Sequence, residues 1–312
     1  MSKSMKQLVL LAVAQSAKGT PGTPVAATNA ILCRGFVPVP IKGKFVERNT
    51  VGGSKGNHGG IFAGEHCVFE FQVEWAGSGV VATAPKFGPL NLGCNMSETV
   101  TAVTSVVYNL IAGEGPYLTF LADLDGLQFK MTDARGTKSW TINSEDIPVM
   151  KYTFTGKYWP MTDTAFPSGI SFTGFTKPLT VGAVNTPTFT LDAIALVVKS
   201  FGLDLANTVT WKNYIGNAGA ESPDRKGTAS AVFELTTVAV KNWGETVRLG
   251  TAMPLNLVHG TTAGNICALT GPLLQINAEP TITDDGGTAM LSCSFAVMPT
   301  DAGNDELVET FT

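Results

Sequence analysis

The sequence predicts an all-β protein with one short helix per domain, built as two tandem domains. Three observations carry that expectation. The 312 residues include 38 Thr, 34 Gly and 17 Pro; Thr favours pleated strands, and Gly and Pro punctuate turns. Over residues 65–76, Cys67, Phe69, Phe71, Val73 and Trp75 alternate with Val68, Glu70, Gln72 and Glu74, the two-residue period of a half-buried strand. Sliding the chain on itself by 164 residues lays Val68-Phe69-Glu70-Phe71 on Val232-Phe233-Glu234-Leu235, Val51-Gly52 on Ile215-Gly216 and Asn49 on Asn213. Residues 149–154 match 290–295 at an offset of 141, so the second copy is shorter by 23 residues (164 less 141) in between. A fixed order of elements at two places in one chain is the mark of an internal repeat. The expected organisation is a first domain over 1–160, a Pro-rich linker over 161–187, and a second domain over 188–312.

The elements follow from the pattern in order. Lys3 and Lys6 precede the apolar run Leu8–Ala14. That run imitates a secretory signal with small residues at Ala12 and Ala14. Its other reading is an apolar arm or strand, through Leu8, Leu10 and Leu11, that docks on a neighbouring subunit. Residues 30–40 and 41–49 read as strands, then a Gly-rich loop spans 51–64. A strand over 65–76 follows, and Phe87, Leu90 and Leu92 between Pro85 and Gly93 predict a short helix within 84–95. Residues 105–111 and 117–124 are strand-like. Asp125-Gly126 marks a hairpin, since both central residues of a type I′ turn need positive φ. Residues 127–133 return, 134–136 turn, and 137–142 and 149–158 extend the sheet. In the second copy, strands are expected over 188–199 and 203–214. A second long loop spans 215–228, followed by a strand at 228–241 and a short helix within 244–253. Strands over 267–277 and 288–298 complete it, and 300–312 reads as an acidic, loose tail.

Charge excludes several functions. Lys and Arg number 21 against 25 Asp and Glu, a net charge of −4, and only five of the basic residues are Arg, none clustered. Tight nucleic-acid binding needs clustered cations against phosphates. Mild acidity instead suits a surface past which DNA slides. Charged residues make up 15% of the chain, against about 25% in an average soluble domain, which fits a surface partly hidden against copies of itself. The five cysteines form no C-x-x-C pair, so neither a disulfide framework nor a zinc ribbon is expected, and a reducing compartment fits. No apolar run approaches the ~18 residues that span a bilayer.

No catalytic constellation emerges. Gly52-Gly53-Ser54-Lys55-Gly56 matches G-x-S-x-G, but Asn57-His58-Gly59-Gly60 is a poor helix start and the repeat places Ala218 where Ser54 stands; a nucleophile elbow needs strand, serine and helix in sequence. The same loop lacks the residue order of a phosphate-binding P-loop. His58, His66, Cys67 and His259 lack zinc-hairpin spacing. Asp123 with Asp125, and Asp284 with Asp285, flank turns, where Asp is a common backbone-bonding residue. Trp75, Trp140, Trp159, Trp211 and Trp243 are scattered and read as packing residues. No enzyme activity, metal or cofactor is expected.

Several stretches resemble the tail tube proteins of long-tailed, non-contractile bacteriophages (siphophages). Gly19-Thr20-Pro21-Gly22-Thr23-Pro24 followed by Ala30-Ile31-Leu32 is similar to the start of that family, and residues 69–79 with Ala84-Pro85-Lys86-Phe87-Gly88-Pro89-Leu90 and Gly93-Cys94 look like its strand and short helix. The most specific stretches are Leu127-Gln128-Phe129-Lys130-Met131-Thr132-Asp133-Ala134-Arg135-Gly136-Thr137 and residues 147–158. The resemblance covers about residues 1–160 and reaches the second half only through the repeat. It implies β-sandwich domains of which six close a ring with an inner β-barrel. Rings stack into a tube that holds a tape-measure protein and later conducts DNA. Two domains per chain imply homotrimeric rings. The implied partners are other copies of the chain, the tape-measure protein, and tail terminator and baseplate or distal tail proteins. DNA is passing cargo, no membrane is involved, and assembly takes place in the host cytoplasm to give a virion tail. The resemblance further implies contacts between rings through Val51, Gly52, Lys55, His58 and Phe62 of the first loop, and Ile215, Asn217, Asp224 and Arg225 of the second. A lumen lined by Glu70, Asp123, Asp125 and Glu234 is expected, as are arms through Leu8, Leu10 and Leu11 that cross between subunits. The rival readings are a secreted or surface β-sandwich binding or pilus-like module, and another virion ring protein.

Overall fold

The computed structural model of the chain describes residues 3–48, 50–52, 56 and 58–312. The first half contains β1 (Leu8–Ala14), α1 (Ala26–Asn29), β2 (Ala30–Ile31), β3 (Val39–Glu47), β4 (Gly60–Glu74), α2 (Gly88–Gly93), β5 (Met96–Thr101), β6 (Ser105–Leu110), β7 (Leu118–Leu124), β8 (Leu127–Asn143), β9 (Val149–Tyr158) and β10 (Thr162–Asp163). The second contains β11 (Thr188–Leu191), β12 (Ile194–Ala195), β13 (Val198–Asp204), β14 (Thr210–Tyr214), β15 (Asn217–Glu221), β16 (Thr228–Glu234), α3 (Trp243–Leu249), β17 (Ala252–His259), β18 (Cys267–Ile276), β19 (Thr281–Asp285), β20 (Thr288–Met298) and β21 (Val308–Phe311). The molecule is mostly β, as the composition predicts.

The same pairing order occurs twice. In the first half β3 pairs β4, β4 pairs β9, β9 pairs β8, β8 pairs β7, β7 pairs β1 and β1 pairs β2, with β10 beside β8. In the second half β13, β16, β20, β18, β17, β11 and β12 follow in the same order, with β21 beside β18. A short helix follows the second long strand each time. Two hairpins interrupt the correspondence: β5–β6 in the first half and β14–β15 in the second. Residues 94–117 separate α2 from β7, whereas only 250–251 separate α3 from β17, so the residues missing from the second copy fall at the β5–β6 hairpin.

Among the described residues, strand pairing joins the halves at two places. The far end of β8 carries β13, from Ser139↔Asp204 to Asn143↔Ser200. β21 lies between β18 and β6. Among the described residues the pairings branch but never close on themselves, so the chain alone forms no closed barrel. One continuous apolar core draws on both halves, from Phe69, Phe71, Phe120 and Phe154 to Phe201, Phe233, Leu269 and Phe295. Phe120 and Phe154 meet with ring centroids 4.8 Å apart, within the range of favourable aromatic pairs.

Several elements differ from the sequence reading. Leu8–Ala14, expected as an arm or strand docking on a neighbouring subunit, is a strand of this chain's own sheet. All seven of its residues pair with β7, and Leu10 and Leu11 are buried; its uniform hydrophobicity reflects burial on both faces. The turn expected at 134–136 is absent. β8 runs through it as one strand of 17 residues, with Asp133 at φ 48° and a register shift between Thr132 and Arg135, a bulge that absorbs the extra residue. The loop expected at 215–228 contains β15 and the turn Ile215-Gly216, and the loop expected at 51–64 is shortened because β4 starts at Gly60. Residues 300–312 are not a loose tail: Leu307, Glu309 and Phe311 are buried. Asp125 (φ 50°) and Gly126 (φ 80°) form the expected hairpin turn between β7 and β8.

Candidate assembly surfaces and a buried polar centre

Two hairpins carry exposed apolar side chains. The β3–β4 hairpin exposes Ile41, Phe45, Val46, Val51 and Ile61, and the β14–β15 hairpin exposes Tyr214 and Ile215 at its tip. Phe62 packs edge-on against Phe45, with centroids 5.0 Å apart. Of the inter-ring residues expected from the sequence, Val51, Gly52, His58, Ile215, Asn217 and Asp224 are exposed; Lys55, like Ser54, lies outside the described residues. Arg225 is corrected. Its side chain points inward, pairs with Glu306, and donates to the Ile111 carbonyl at 2.7 Å and to Asn304 Oδ1 at 2.8 Å. It fastens the second half to the first rather than reaching outward.

The lumen expectation divides in the same way. Glu70 is exposed and pairs with Lys151 at 2.7 Å, and Glu234 is exposed at the end of β16. Asp123 is corrected: it is buried, accepting the Gly126 N–H at 2.9 Å and the Thr164 hydroxyl at 3.2 Å. Asp125 Oδ2 accepts the Ser4 N–H at 2.9 Å and its carbonyl accepts Lys3 Nζ at 2.8 Å. The Asp123 carboxylate therefore builds the β7–β8 turn and that of Asp125 ties the N-terminal segment to it, while Asp284 builds the β19–β20 turn by accepting the Gly287 N–H at 3.0 Å. His66 Nδ1 lies 2.9 Å from the Gly64 carbonyl, and its ring stacks on Trp211. Among the described residues no cluster of His, Cys, Asp and Glu is placed to hold a metal, and no helix is long and apolar enough to cross a membrane.

The centre that sequence reasoning missed lies between the two halves. Lys138 of β8 and Glu309 of β21 are fully buried with Nζ 2.7 Å from Oε2. Trp75 and Trp140 donate their indole N–H groups to Glu309 Oε1 at 2.9 and 3.2 Å. Asn91 of α2 donates to Oε2 at 3.0 Å. Its own Oδ1 accepts Lys138 Nζ at 2.9 Å and the Tyr152 hydroxyl at 2.7 Å. Lys138 Nζ also lies 4.3 Å from the Trp140 ring centroid. Burial pulls the Lys138 ammonium below its usual range while the charge of Glu309 and its hydrogen bond oppose that pull. Burial likewise pushes the Tyr152 hydroxyl well above its ordinary value. A buried ion pair is tolerated when its remaining donors and acceptors are satisfied. This one ties β8, β21, α2 and β9 together at a single point.

A second buried cation closes the same joint. Arg135 pairs with Glu114, donates to the Gly115 carbonyl at 3.2 Å and lies 4.0 Å from the Tyr117 ring centroid. Desolvation works against the Glu114 carboxylate, but its hydrogen bonds from Arg135 and the Ser222 N–H hold it below the usual carboxylate range. The chemistry of these buried groups is fastening. No protein-family model matches the chain, and no curated protein is similar to it in sequence.

Proposed function

We propose that the chain is a structural virion protein, the tail tube subunit of a long-tailed, non-contractile phage. It polymerises into stacked rings that enclose a tape-measure protein and let DNA pass. The observation that carries the reading is the repeated strand order, two equivalent halves joined edge to edge with an open strand edge left at each end of the unit. Three such chains supply six equivalent units for one ring. The exposed apolar hairpin tips fit contacts between rings, and the net charge of −4 with few Arg suits a conduit that does not retain DNA. Two tandem tail-tube domains, with the ring's inner barrel completed only between copies, belong to this reading.

Negative-stain electron microscopy of the purified protein over a concentration series tests it. Hollow tubes or stacked rings of three chains are expected. Dispersed monomers at every concentration count against it and favour the β-sandwich binding module.

A further inference from the structure

The joint between the halves of one chain has a counterpart that the chain leaves unmade. β19 continues β18 along β20 as the second part of β8 continues the first part along β9. Thr283 faces Met290 where Thr141 faces Val149, and Met290 and Val149 are equivalent at the 141-residue offset. β3 stands to β4 as β13 stands to β16. Val39 faces Val68 where Ser200 faces Val232, and Lys42 faces His66 where Gly202 faces Ser230, both at the 164-residue offset. Within the chain, the second part of β8 and β13 are joined, with Thr141 opposite Gly202. Among the described residues, their equivalents β19 and β3 each pair on one side only, and both are exposed along their whole lengths.

The side chains match this correspondence. Trp140 and Phe201 are buried at the internal joint, at 1% and 2% exposure; their equivalents Ile282 and Ile41 are apolar but stand 65% and 39% exposed. Lys42 and Lys44 lie on the β3 edge, and Asp284 and Asp285 on the β19 edge. Long open edges are a liability that proteins normally blunt. Lysines on one edge and aspartates on the other disfavour pairing of each edge with itself and favour pairing of one with the other.

We infer that β19 of one copy pairs antiparallel with β3 of a second copy, with Thr283 opposite Lys42 and Thr281 near Lys44, repeating the β8–β13 joint between chains. The contact is heterologous, so it propagates into a ring or an open filament, and its affinity comes from main-chain addition to an existing sheet. The bulge between Val39 and Lys42 places Pro40, which has no N–H to donate, in the irregular part of the edge. This inference rests on the self-assembly reading above and specifies the surfaces it uses; it does not depend on what the assembly encloses.

Charge exchange across the two edges tests it, read by sedimentation velocity and electron microscopy over a concentration series. K42E/K44E makes both edges acidic, and T281K/T283K sets lysines against Lys44 and Lys42 in the inferred register. Each variant is expected to raise the concentration for half-assembly at least about tenfold, with unchanged thermal unfolding of the monomer because all four positions face solvent. The variant combining all four substitutions restores opposite charges and is expected to assemble within about threefold of the natural chain. Assembly of the natural chain that is indifferent to both pairs, or folded single-edge variants without rescue in the combined one, overturns the inference and leaves the assembly reading standing. A natural chain that stays monomeric throughout overturns both.

Discussion

Glu309 accepts from two tryptophans and an asparagine and neutralises Lys138, all out of contact with water. Glu309→Gln keeps the shape but leaves a buried ammonium without its anion. The expected cost is about 3–5 kcal/mol of unfolding free energy, read by urea denaturation. Replacing both partners, Lys138→Met with Glu309→Leu, is expected to recover only part of it, since the indole and amide donors still lose their acceptor. Little of this centre was legible in the sequence. A single acidic residue in an acidic stretch reads as solvated, and its partner lies 171 residues away. The one signal was alternation: Leu307, Glu309 and Phe311 share one face of a strand, so a carboxylate occupies an inward position. Trp75 was legible as a core residue because its neighbours at two-residue spacing are all apolar, but nothing local shows what its N–H meets.

At the scale of elements, hairpins read well where the turn chemistry is local. Asp125-Gly126 is the clearest case. Gly126 has φ 80°, and a Cβ there would approach the Thr164 carbonyl oxygen to 2.8 Å. Gly126→Ala is expected to cost about 1–2 kcal/mol, measured as a lower urea midpoint with an unchanged denaturant slope. Strands whose reason for existing lies elsewhere were hidden. β19 carries Thr281 to Asp285 with two aspartates and little alternation, and only its pairing with β20 makes it a strand. β1 looked like a leader or an arm because all-apolar runs look alike whether they are buried between neighbours or destined for a membrane. The bulge in β8 reads as a turn in the sequence because Asp133, Ala134, Arg135 and Gly136 carry turn-like composition, while the partner strand β9 holds the backbone extended on either side.

For the whole molecule, the repeat was visible only as a few matched residues at two offsets, and pairing order gives it substance. On the proposed assembly reading, substitutions at the hairpin tips separate folding from association at this scale. Ile215 stands fully exposed beyond β14, so Ile215→Asp is expected to leave monomer stability within about 0.5 kcal/mol. Tube or ring formation is expected to need several-fold more protein, scored by light scattering and electron microscopy. The distance in sequence between Lys138 and Glu309 also sets an order of events during synthesis. At about 5–20 residues per second, a ribosome that has delivered Lys138 needs roughly 10–30 s more before Glu309 emerges. Throughout that interval the nascent polypeptide lacks both the anion and the strand that seat β8 and β6 against β18. A half-made chain therefore holds the β3 edge without the β19 edge, and without the ion pair that fastens its two halves.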